Sequence, residues 1–278
     1  MEKYSVLLTV YIKVKAEDLR LSIKSMLNQT VKPDQIVIVY DGPVTEDVNT
    51  VVLDYSHSNE GLFEVIKLPK NQGLAVALNA GLKICRNELI ARMDSDDYSK
   101  PHRCETQLRE FAQDKELALL GSNTQHFKDS PFEPDEKYSN QPLDLDSIKE
   151  KIRRNSAFSH PTVMFRKSAV LDCGGYDPIL RRSQDHDLFS KMIYKGYVCR
   201  NVKDALVLFR ADEDCKLRNR NTESCKARII IQKRLRSRNQ CSLVDFLYVY
   251  IGVLAVKYMP RFLYIFLYSL FKEKKNKK

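Results

Sequence analysis

The sequence is poor in glycine and proline, with nine and ten of them among 278 residues. Collagen-like chains and low-complexity disordered chains contain far more of both, so these classes are excluded. The remaining composition, with 43% hydrophobic and 29% charged residues, is that of a globular protein. A chain of this length can bury a sizeable core in one large domain or in one domain with appendages.

The seven cysteines form no C-x-x-C pair, and an odd number cannot pair completely. This pattern fits a reducing compartment better than a secreted disulfide scaffold. The first residues, MEKYSVLLTVYIKVK, have no basic region ahead of their apolar run, so they are typical of a buried strand rather than a signal peptide. We therefore expect a cytoplasmic protein.

Short β-branched runs alternate with helical stripes over the first 120 residues. The apolar residues between the runs recur at helical spacing, as on the core face of an amphipathic helix. Strands are predicted at YSVLLTVYI (4–12), QIVIVY (35–40), FEVIKL (63–68) and ELIARM (88–93). The alternation predicts an α/β fold with a doubly wound, mainly parallel sheet, in which ligands bind beyond the carboxyl ends of the strands.

Three aspartates, Asp94, Asp96 and Asp97, stand together where the fourth predicted strand ends, in the stretch ARMDSDD. Like charges this close stay ionised together only in open water or around a cation. In an extended segment Asp94 and Asp96 would project to the same side. Because hard carboxylate oxygens suit Mg²⁺ or Mn²⁺ shared with a substrate phosphate, the stretch predicts a metal site for a nucleotide diphosphate.

Three other kinds of site place acidic residues at such spacings. An EF-hand loop would start at Asp94 and end at Glu105, but Ser99 stands at its required glycine and Pro101 lies inside it. A phosphatase-type nucleophilic aspartate is expected on an early strand, whereas this stretch stands at the end of the fourth predicted strand. A solvated acidic turn without a ligand stays open on these residues alone.

Three further residues are candidates, each with a simpler alternative. Asp41 ends the second predicted strand, where it could bind a base or ribose or merely form an Asp-Gly-Pro turn. Gly73 precedes a helix and could admit an anion, although neither a Walker lysine nor G-x-G-x-x-G spacing is present. Asp185 could be a general base, or only a favourable charge at a helix start.

Taken in order, these stretches resemble family 2 glycosyltransferases of the GT-A fold. The resemblance is carried by the first strand ending in VY, then VYDGP, NQGLAVALNAGL, ARMDSDD and HPTVMFRKSAV…GGYDP…QDHDL, over about residues 4–210. The first half looks especially like exopolysaccharide and O-antigen glycosyltransferases of the amylovoran galactosyltransferase group. The Q-x-x-R-W motif of processive synthases is absent, so a single transfer is expected.

The resemblance implies a role for each candidate residue. It implies Asp185 as the catalytic base, although Gln184 stands where the family often has Glu, which leaves Asp187 as a second candidate. It implies Asp96 as the main ligand of Mn²⁺ or Mg²⁺, with Asp94 shared between the metal and the nucleotide. The remaining implied contacts are with the nucleotide, through Val10, Tyr11, Asp41 and Gly73, and with the donor sugar or acceptor, through Asp97 and His160.

Basic charge is concentrated towards the end of the chain. Residues 216–238 carry nine Lys or Arg against one Glu, and residues 272–278 carry five Lys against one Glu. Between them, residues 243–271 are the most apolar segment, but Lys257, Pro260 and Arg261 interrupt it, so a spanning helix is not favoured. We predict amphipathic helices on an anionic membrane surface; the alternative is a helical hairpin packed on the core or on another subunit.

These features predict two regions and one activity. Residues 1–215 would form the GT-A domain, with a nucleotide half at about 1–120 and an acceptor half at about 121–215, followed by a membrane-associating region, 216–278. The expected reaction is an inverting, metal-dependent, non-processive transfer of a hexose from UDP-galactose or UDP-glucose to a polyprenyl-diphosphate-linked sugar. It would serve bacterial surface polysaccharide synthesis at the inner face of the cell membrane.

Two other functions would use some of the same features. A nucleotidyltransferase that makes sugar nucleotides should carry a glycine- and arginine-rich loop after the first strand, which YIKVKAEDLR does not provide. A nucleic-acid-binding protein would use the basic segment, yet residues 1–215 are slightly acidic and offer neither an RNA-binding signature nor a zinc ligand set. No nucleic-acid partner is expected.

Overall fold

The computed structural model describes residues 2–211 and 221–260, and the chain divides into two compact units, residues 1–212 and 213–278. The described part of the first unit is an α/β unit. Its elements in chain order are β1 (Tyr4–Val10), α1 (Ala16–Leu27), β2 (Gln35–Tyr40), α2 (Glu46–Ser58), β3 (Phe63–Lys67), α3 (Leu74–Ile84), β4 (Leu89–Met93), β5 (Tyr98–Ser99), α4 (Arg103–Gln113), β6 (Leu117–Phe127), α5 (Leu145–Ile152), a 3₁₀ turn (His160–Thr162), β7 (Met164–Arg166), α6 (Lys167–Asp172), α7 (Gln184–Tyr194) and β8 (Val198–Arg210).

The eight strands form one sheet with the order β3-β2-β1-β4-β7-β6-β8-β5. The first four in this order are parallel to their neighbours, as the alternating sequence predicts. β7 then runs antiparallel to both β4 and β6, β8 is parallel to β6, and β5 is antiparallel to β8. The mainly parallel sheet therefore ends in a mixed half.

Both faces of the parallel half are buried, because alternate residues of a strand point to opposite sides. In β1, Leu7 packs into a cluster with α3 and α7, whereas Val6 and Leu8 pack into a second cluster with α1, α2 and α4. β2 divides in the same way, with Val39 on the first side and Ile38 on the second. Continuous apolar strands are thus explained by helices on both faces.

The polar stretch after β6 has more order than the sequence predicts. Tyr138 forms an isolated antiparallel bridge with Gln125, and the Asp135 amide donates to the His126 carbonyl at 2.8 Å. α5 then starts at Leu145, where the Asp144 side chain caps the helix by accepting from the Ser147 amide. The stretch is a surface excursion that folds back on β6.

The described part of the second unit contains two helices, α8 (Thr222–Ser237) and α9 (Leu243–Tyr258). Ser242 and Asp245 form a capping box that fixes the start of α9. Cys225 of α8 and Val249 and Val253 of α9 form a small apolar cluster. Among the described residues, no helix combines the length and the hydropathy that a bilayer span requires.

Several C-terminal predictions fall outside the described residues. They are the basic residues at 216–220, the apolar segment from 261 to 271 and the lysine tail at 272–278. Within α9 the apolar residues do not occupy a single face. Val253 is buried, while Val244 and Ile251 are 69% and 61% exposed.

Candidate active site

The carboxyl ends of three neighbouring strands supply the nucleotide-side candidates. β1 and β2 end side by side, and the Asp41 amide donates to the Val10 carbonyl at 2.7 Å. The Val10 side chain is fully buried in the core, whereas Tyr11 is 44% exposed. Of this pair, Tyr11 exposes its side chain at the edge of the sheet and Val10 supports the strand end.

Asp41 is a buried carboxylate whose orientation is fixed by the loop before α3. Its Oδ1 accepts from the amides of Gln72 and Gly73, at 2.7 and 3.2 Å. Its Oδ2 accepts from the Gly73 amide and from the Asn71 side chain, both at 2.9 Å. Asp41 therefore holds the loop, and the amides around Gly73 that were expected to meet an anion bind this carboxylate.

The backbone conformation at position 73 requires a glycine. Its φ of 97° lies in the left-handed region, which a residue with a Cβ rarely adopts. A Cβ at this position would lie 3.2 Å from Nη1 of Arg181, so the Arg181 side chain rests on the glycine. The α3 start is thus closely packed against the chain that leads into α7.

Three carboxylates meet at the end of β4. One oxygen each of Asp94, Asp96 and Asp97 lies within 4.8 Å of the others. The prediction of an extended segment is wrong, because residues 95 and 96 form a turn. This turn brings Asp97 into the cluster with Asp94 and Asp96. The Ser22 hydroxyl on α1 donates to the Asp94 carbonyl at 2.7 Å and supports the turn from below.

Arg92 is a buried cation beside this cluster. Its side chain is 1% exposed, and its Nη2 donates to Oδ1 of Asp94. Its Nε and Nη1 have no hydrogen-bond partner among the described residues. Burial lowers the pKa of Arg92, but the charge and hydrogen bond of Asp94, together with the charges of Tyr176 and Asp97, raise it above its ordinary value, so the guanidinium stays charged.

Asp97 is the most strongly perturbed member of the cluster. Burial raises its pKa well above the ordinary value, and the negative charges of Asp94 and Asp96 raise it further. Its Oδ2 is buried without a hydrogen-bond partner in the described part of the chain. A divalent cation would satisfy this oxygen and offset the repulsion, so the donor set fits Mg²⁺ or Mn²⁺.

A second group of side chains joins the two halves of the unit near Arg92. Asn79 on α3 donates to the Tyr176 carbonyl at 2.6 Å and accepts from the Tyr176 amide at 3.0 Å. A hydrogen bond of 3.0 Å joins the Tyr176 hydroxyl and Nε2 of His160. Burial and the charge of Arg92 hold the pKa of His160 well below its usual value, so its imidazole is neutral.

Asp185 lies half-buried in the first turn of α7, after Ser183, whose φ is 55°. Burial raises the pKa of Asp185, while His186 and Arg92 partly counter that shift. Burial is the main cause that raises the pKa of Tyr176, the charge of Arg92 lowers it, and the charges of Asp185 and Asp94 raise it further.

Asp187 occupies a different environment from Asp185. Its side chain is 1% exposed, and its Oδ2 forms an ion pair of 2.7 Å with Lys191 one turn along α7. The geometry therefore favours Asp185 over Asp187 as the group that meets an acceptor.

Sequence reasoning missed Arg92, Asn79 and Tyr176. Arg92 lies inside the quoted stretch ARMDSDD, and a charged residue in an otherwise apolar strand was a usable signal. Asn79 and Tyr176 had no comparable signal, because their contact joins positions that are far apart in the chain.

Comparisons with known proteins agree with this architecture. The AmsE glycosyltransferase of amylovoran biosynthesis from Erwinia amylovora is 33% identical over 226 residues, 81% of this chain and 83% of its own. An Escherichia coli protein named UDP-Gal:alpha-D-GlcNAc-diphosphoundecaprenol beta-1,3-galactosyltransferase is 29% identical over 258 residues, 93% of this chain and 92% of its own.

A solved structure shares the fold. The mannosyltransferase PcManGT of Pyrobaculum calidifontis, in complex with GDP-Man and Mn²⁺, superposes with a TM-score of 0.63 at 12% identity, over 93% of this chain and 70% of its own. The likeness identifies the fold as GT-A. The family model described as Glycosyl transferase family 2 matches residues 5–174. The chain is therefore a glycosyltransferase that belongs to family 2.

Proposed function

We propose that the protein is an inverting, metal-dependent, non-processive hexosyltransferase that uses a nucleotide sugar. The observation that carries the proposal is the carboxylate cluster at the end of β4, in which one oxygen each of Asp94, Asp96 and Asp97 lies within 4.8 Å of the others. The turn provides the diphosphate end of a transfer site, and Asp185 provides the proton-accepting end. The two functions occupy different elements, which lets an acceptor hydroxyl and a departing diphosphate lie on opposite sides of a sugar.

In the reaction, Asp185 removes the proton of the acceptor hydroxyl. The oxygen of that hydroxyl attacks the anomeric carbon of the donor sugar. The bond between this carbon and the donor diphosphate breaks on the opposite face, so the configuration inverts without a covalent enzyme intermediate. A divalent cation held by Asp94, Asp96 and Asp97 would neutralise the charge of the leaving diphosphate. Arg92 donates to Oδ1 of Asp94 and orients this carboxylate for that task.

The nucleotide binds at the ends of β1 and β2. Asp41 is held rigidly by the Gly73 loop, and we assign it to the edge of the nucleotide pocket. Tyr11 provides an exposed ring at the same edge. His160 is neutral and held by its hydrogen bond with the Tyr176 hydroxyl, and we assign it to the donor sugar or acceptor.

The substrates are proposed from the named relatives. The E. coli relative is named for UDP-galactose and for GlcNAc on diphosphoundecaprenol, and AmsE is named for amylovoran synthesis. We assign this chain a UDP-hexose donor, galactose or glucose, and a sugar on polyprenyl diphosphate as acceptor. The product is a β-linked sugar of a bacterial surface polysaccharide.

A lipid-linked acceptor requires a membrane surface, and the second unit suits one. α9 exposes Val244, Tyr248 and Ile251 along one stripe, at 69%, 65% and 61%. α8 carries exposed basic residues such as Lys226 and Lys233. Apolar insertion together with attraction to anionic headgroups would hold the enzyme on the inner face of the cell membrane.

The test is a transfer assay with a panel of nucleotide sugars and synthetic GlcNAc- and GalNAc-diphosphate lipids. Wild type is expected to transfer from a UDP-hexose, to lose activity in EDTA and to recover it in Mn²⁺. Asp96→Asn should lose metal-dependent activity, and Asp185→Asn should retain donor binding while transfer falls about 10²-fold or more.

Three outcomes contradict the proposal. Full activity in EDTA overturns the metal assignment, and full activity of Asp185→Asn overturns the choice of base. Formation of a sugar nucleotide from UTP and a sugar 1-phosphate, without transfer to any lipid, would identify a nucleotidyltransferase instead.

A further inference from the structure

Arg210, the last residue of β8, connects the carboxylate turn to two other segments. Its Nη2 donates to Oδ1 of Asp18 at the start of α1, at 2.7 Å. Its Nε donates to the Asp96 carbonyl at 3.2 Å, and its Nη1 donates to the Lys128 carbonyl after β6 at 3.0 Å. The guanidinium also lies over the Phe127 ring, 4.6 Å from its centroid.

The main chain of Arg210 contributes to the same arrangement. Its amide donates to Oδ1 of Asp97 at 2.9 Å, across 113 residues of sequence. This bond engages one oxygen of Asp97 and leaves the other, Oδ2, without a hydrogen-bond partner among the described residues. The main chain at residue 210 therefore determines which oxygen of Asp97 is available to a ligand. The Arg210 side chain holds this main chain through its contacts with Asp18 and with the Lys128 carbonyl.

We propose that Arg210 is a positioning residue that fixes the turn at residues 94–97 in the geometry that binds a divalent cation. This inference rests on the proposed metal-dependent function of that turn. The turn needs external support because residues 94–97 belong to no strand. Ser22 holds the carbonyl of Asp94, and Arg210 holds the carbonyl of Asp96 and the carboxylate of Asp97.

The contacts require an arginine in particular. A guanidinium donates in several fixed directions within one plane, so it can meet Asp18 and the two carbonyls at the same time. A lysine at 210 would keep the attraction to Asp18 but could not reproduce the planar fork. The ion pair is sheltered, with the side chains of Arg210 and Asp18 only 16% and 17% exposed, so water does not replace it freely.

The test compares Arg210→Met and Arg210→Lys with a control on the same strand. Arg200 also lies on β8 and is paired with two carboxylates, Glu110 and Asp114, each at 3.4 Å, but it contacts no part of the turn. Mn²⁺ is titrated into each purified full-length protein by calorimetry, with and without UDP. Amide hydrogen exchange is followed in the peptide that covers residues 94–99, and thermal unfolding is recorded for every variant.

The expected result is a loss of Mn²⁺ affinity of about 10-fold to 100-fold in Arg210→Met, as for other residues that orient metal ligands. Arg210→Lys should lose about 10-fold, and Arg200→Met should stay within about twofold of wild type because it changes no support of the turn. Faster exchange at 94–99 should accompany the Arg210 changes and not Arg200→Met.

The inference is overturned if Arg210→Met and Arg210→Lys bind Mn²⁺ like wild type, or if Arg200→Met weakens binding equally. Absence of Mn²⁺ binding in wild type would instead contradict the metal assignment in the proposed function. In that case hydrogen exchange alone decides the positioning role: unchanged protection of residues 94–99 in both Arg210 variants refutes it.

Discussion

Asp185 shows how a buried setting can prepare a single carboxylate for proton transfer. Burial raises its pKa, against the opposing charges of His186 and Arg92, so it is a stronger base than an exposed aspartate. We predict that kcat/KM falls as the pH is lowered through a pKa above the ordinary aspartate value of about 3.9, because the base must be ionised to accept a proton. The measurement is kcat/KM for the acceptor against pH at saturating donor.

Asp187 offers a matched control two residues away on the same helix. Its carboxylate is engaged in an ion pair with Lys191. Asp187→Asn should therefore keep the fall of kcat/KM at low pH. Asp185→Asn should abolish that fall together with most of the activity. A profile in which Asp187→Asn removes the fall and Asp185→Asn preserves it would exchange the roles of the two residues.

Individual residues differed in how far the sequence could identify them. The aspartates at 41, 94 and 96 could be named because polar residues at the ends of buried strands are visible in the sequence. Tyr176 and Arg210 could not, because their roles depend on partners 97 and 113 residues away, Asn79 and Asp97. Their own sequence neighbourhoods contain no sign of those contacts.

At the scale of elements, the turn after β4 is where local reasoning failed. Alternation predicts that an extended strand would place Asp94 and Asp96 on one side. The chain instead reverses so that Tyr98 and Ser99 of β5 can pair antiparallel with Leu208 and Val207 of β8. That pairing is non-local, so a tertiary contact determines the geometry of the most acidic stretch.

Helix α3 packs unusually close to the sheet, and Gly81 makes this possible. A Cβ on Gly81 would lie 2.3 Å from Cδ1 of Leu7 on β1 and 2.9 Å from Cγ2 of Val39 on β2. We predict that Gly81→Ala lowers the free energy of unfolding by about 1–3 kcal/mol through overpacking. Urea unfolding followed by circular dichroism measures this change.

Gly252, inside α9, provides the opposite case. A Cβ there meets no atom within 4 Å, so Gly252→Ala adds only helix propensity. The expected gain is a helix stabilised by up to about 1 kcal/mol. If both substitutions changed stability in the same direction and by similar amounts, close packing at Gly81 would not be the cause.

For the whole molecule, the parallel half of the sheet was the predictable part. Its strands alternate with helices along the chain, the first two crossovers join neighbouring strands, and the crossover from β3 returns past β2 and β1 to β4. The mixed half was not predictable, because β7 inserts between β4 and β6 although it follows both in the sequence. Only the complete set of pairings reveals that order.

The exposed stripe of Val244, Tyr248 and Ile251 on α9 is the surface that we expect to insert into a membrane. Replacing all three by serine removes apolar area worth roughly 1.5 kcal/mol or more per inserted side chain, so vesicle binding should fall at least about 10-fold. The matched control replaces Leu53 and Leu171, exposed at 42% and 49% in the first unit, by serine.

Cosedimentation with phosphatidylcholine vesicles, with and without phosphatidylglycerol, measures this binding. Attraction between the basic residues of α8 and anionic headgroups requires stronger binding to the anionic vesicles, weakened by added salt. The membrane role is refuted if the triple variant binds as wild type does. It is also refuted if wild type binds no vesicles but forms a dimer that the triple variant loses, because the stripe would then be covered by a second copy of the chain.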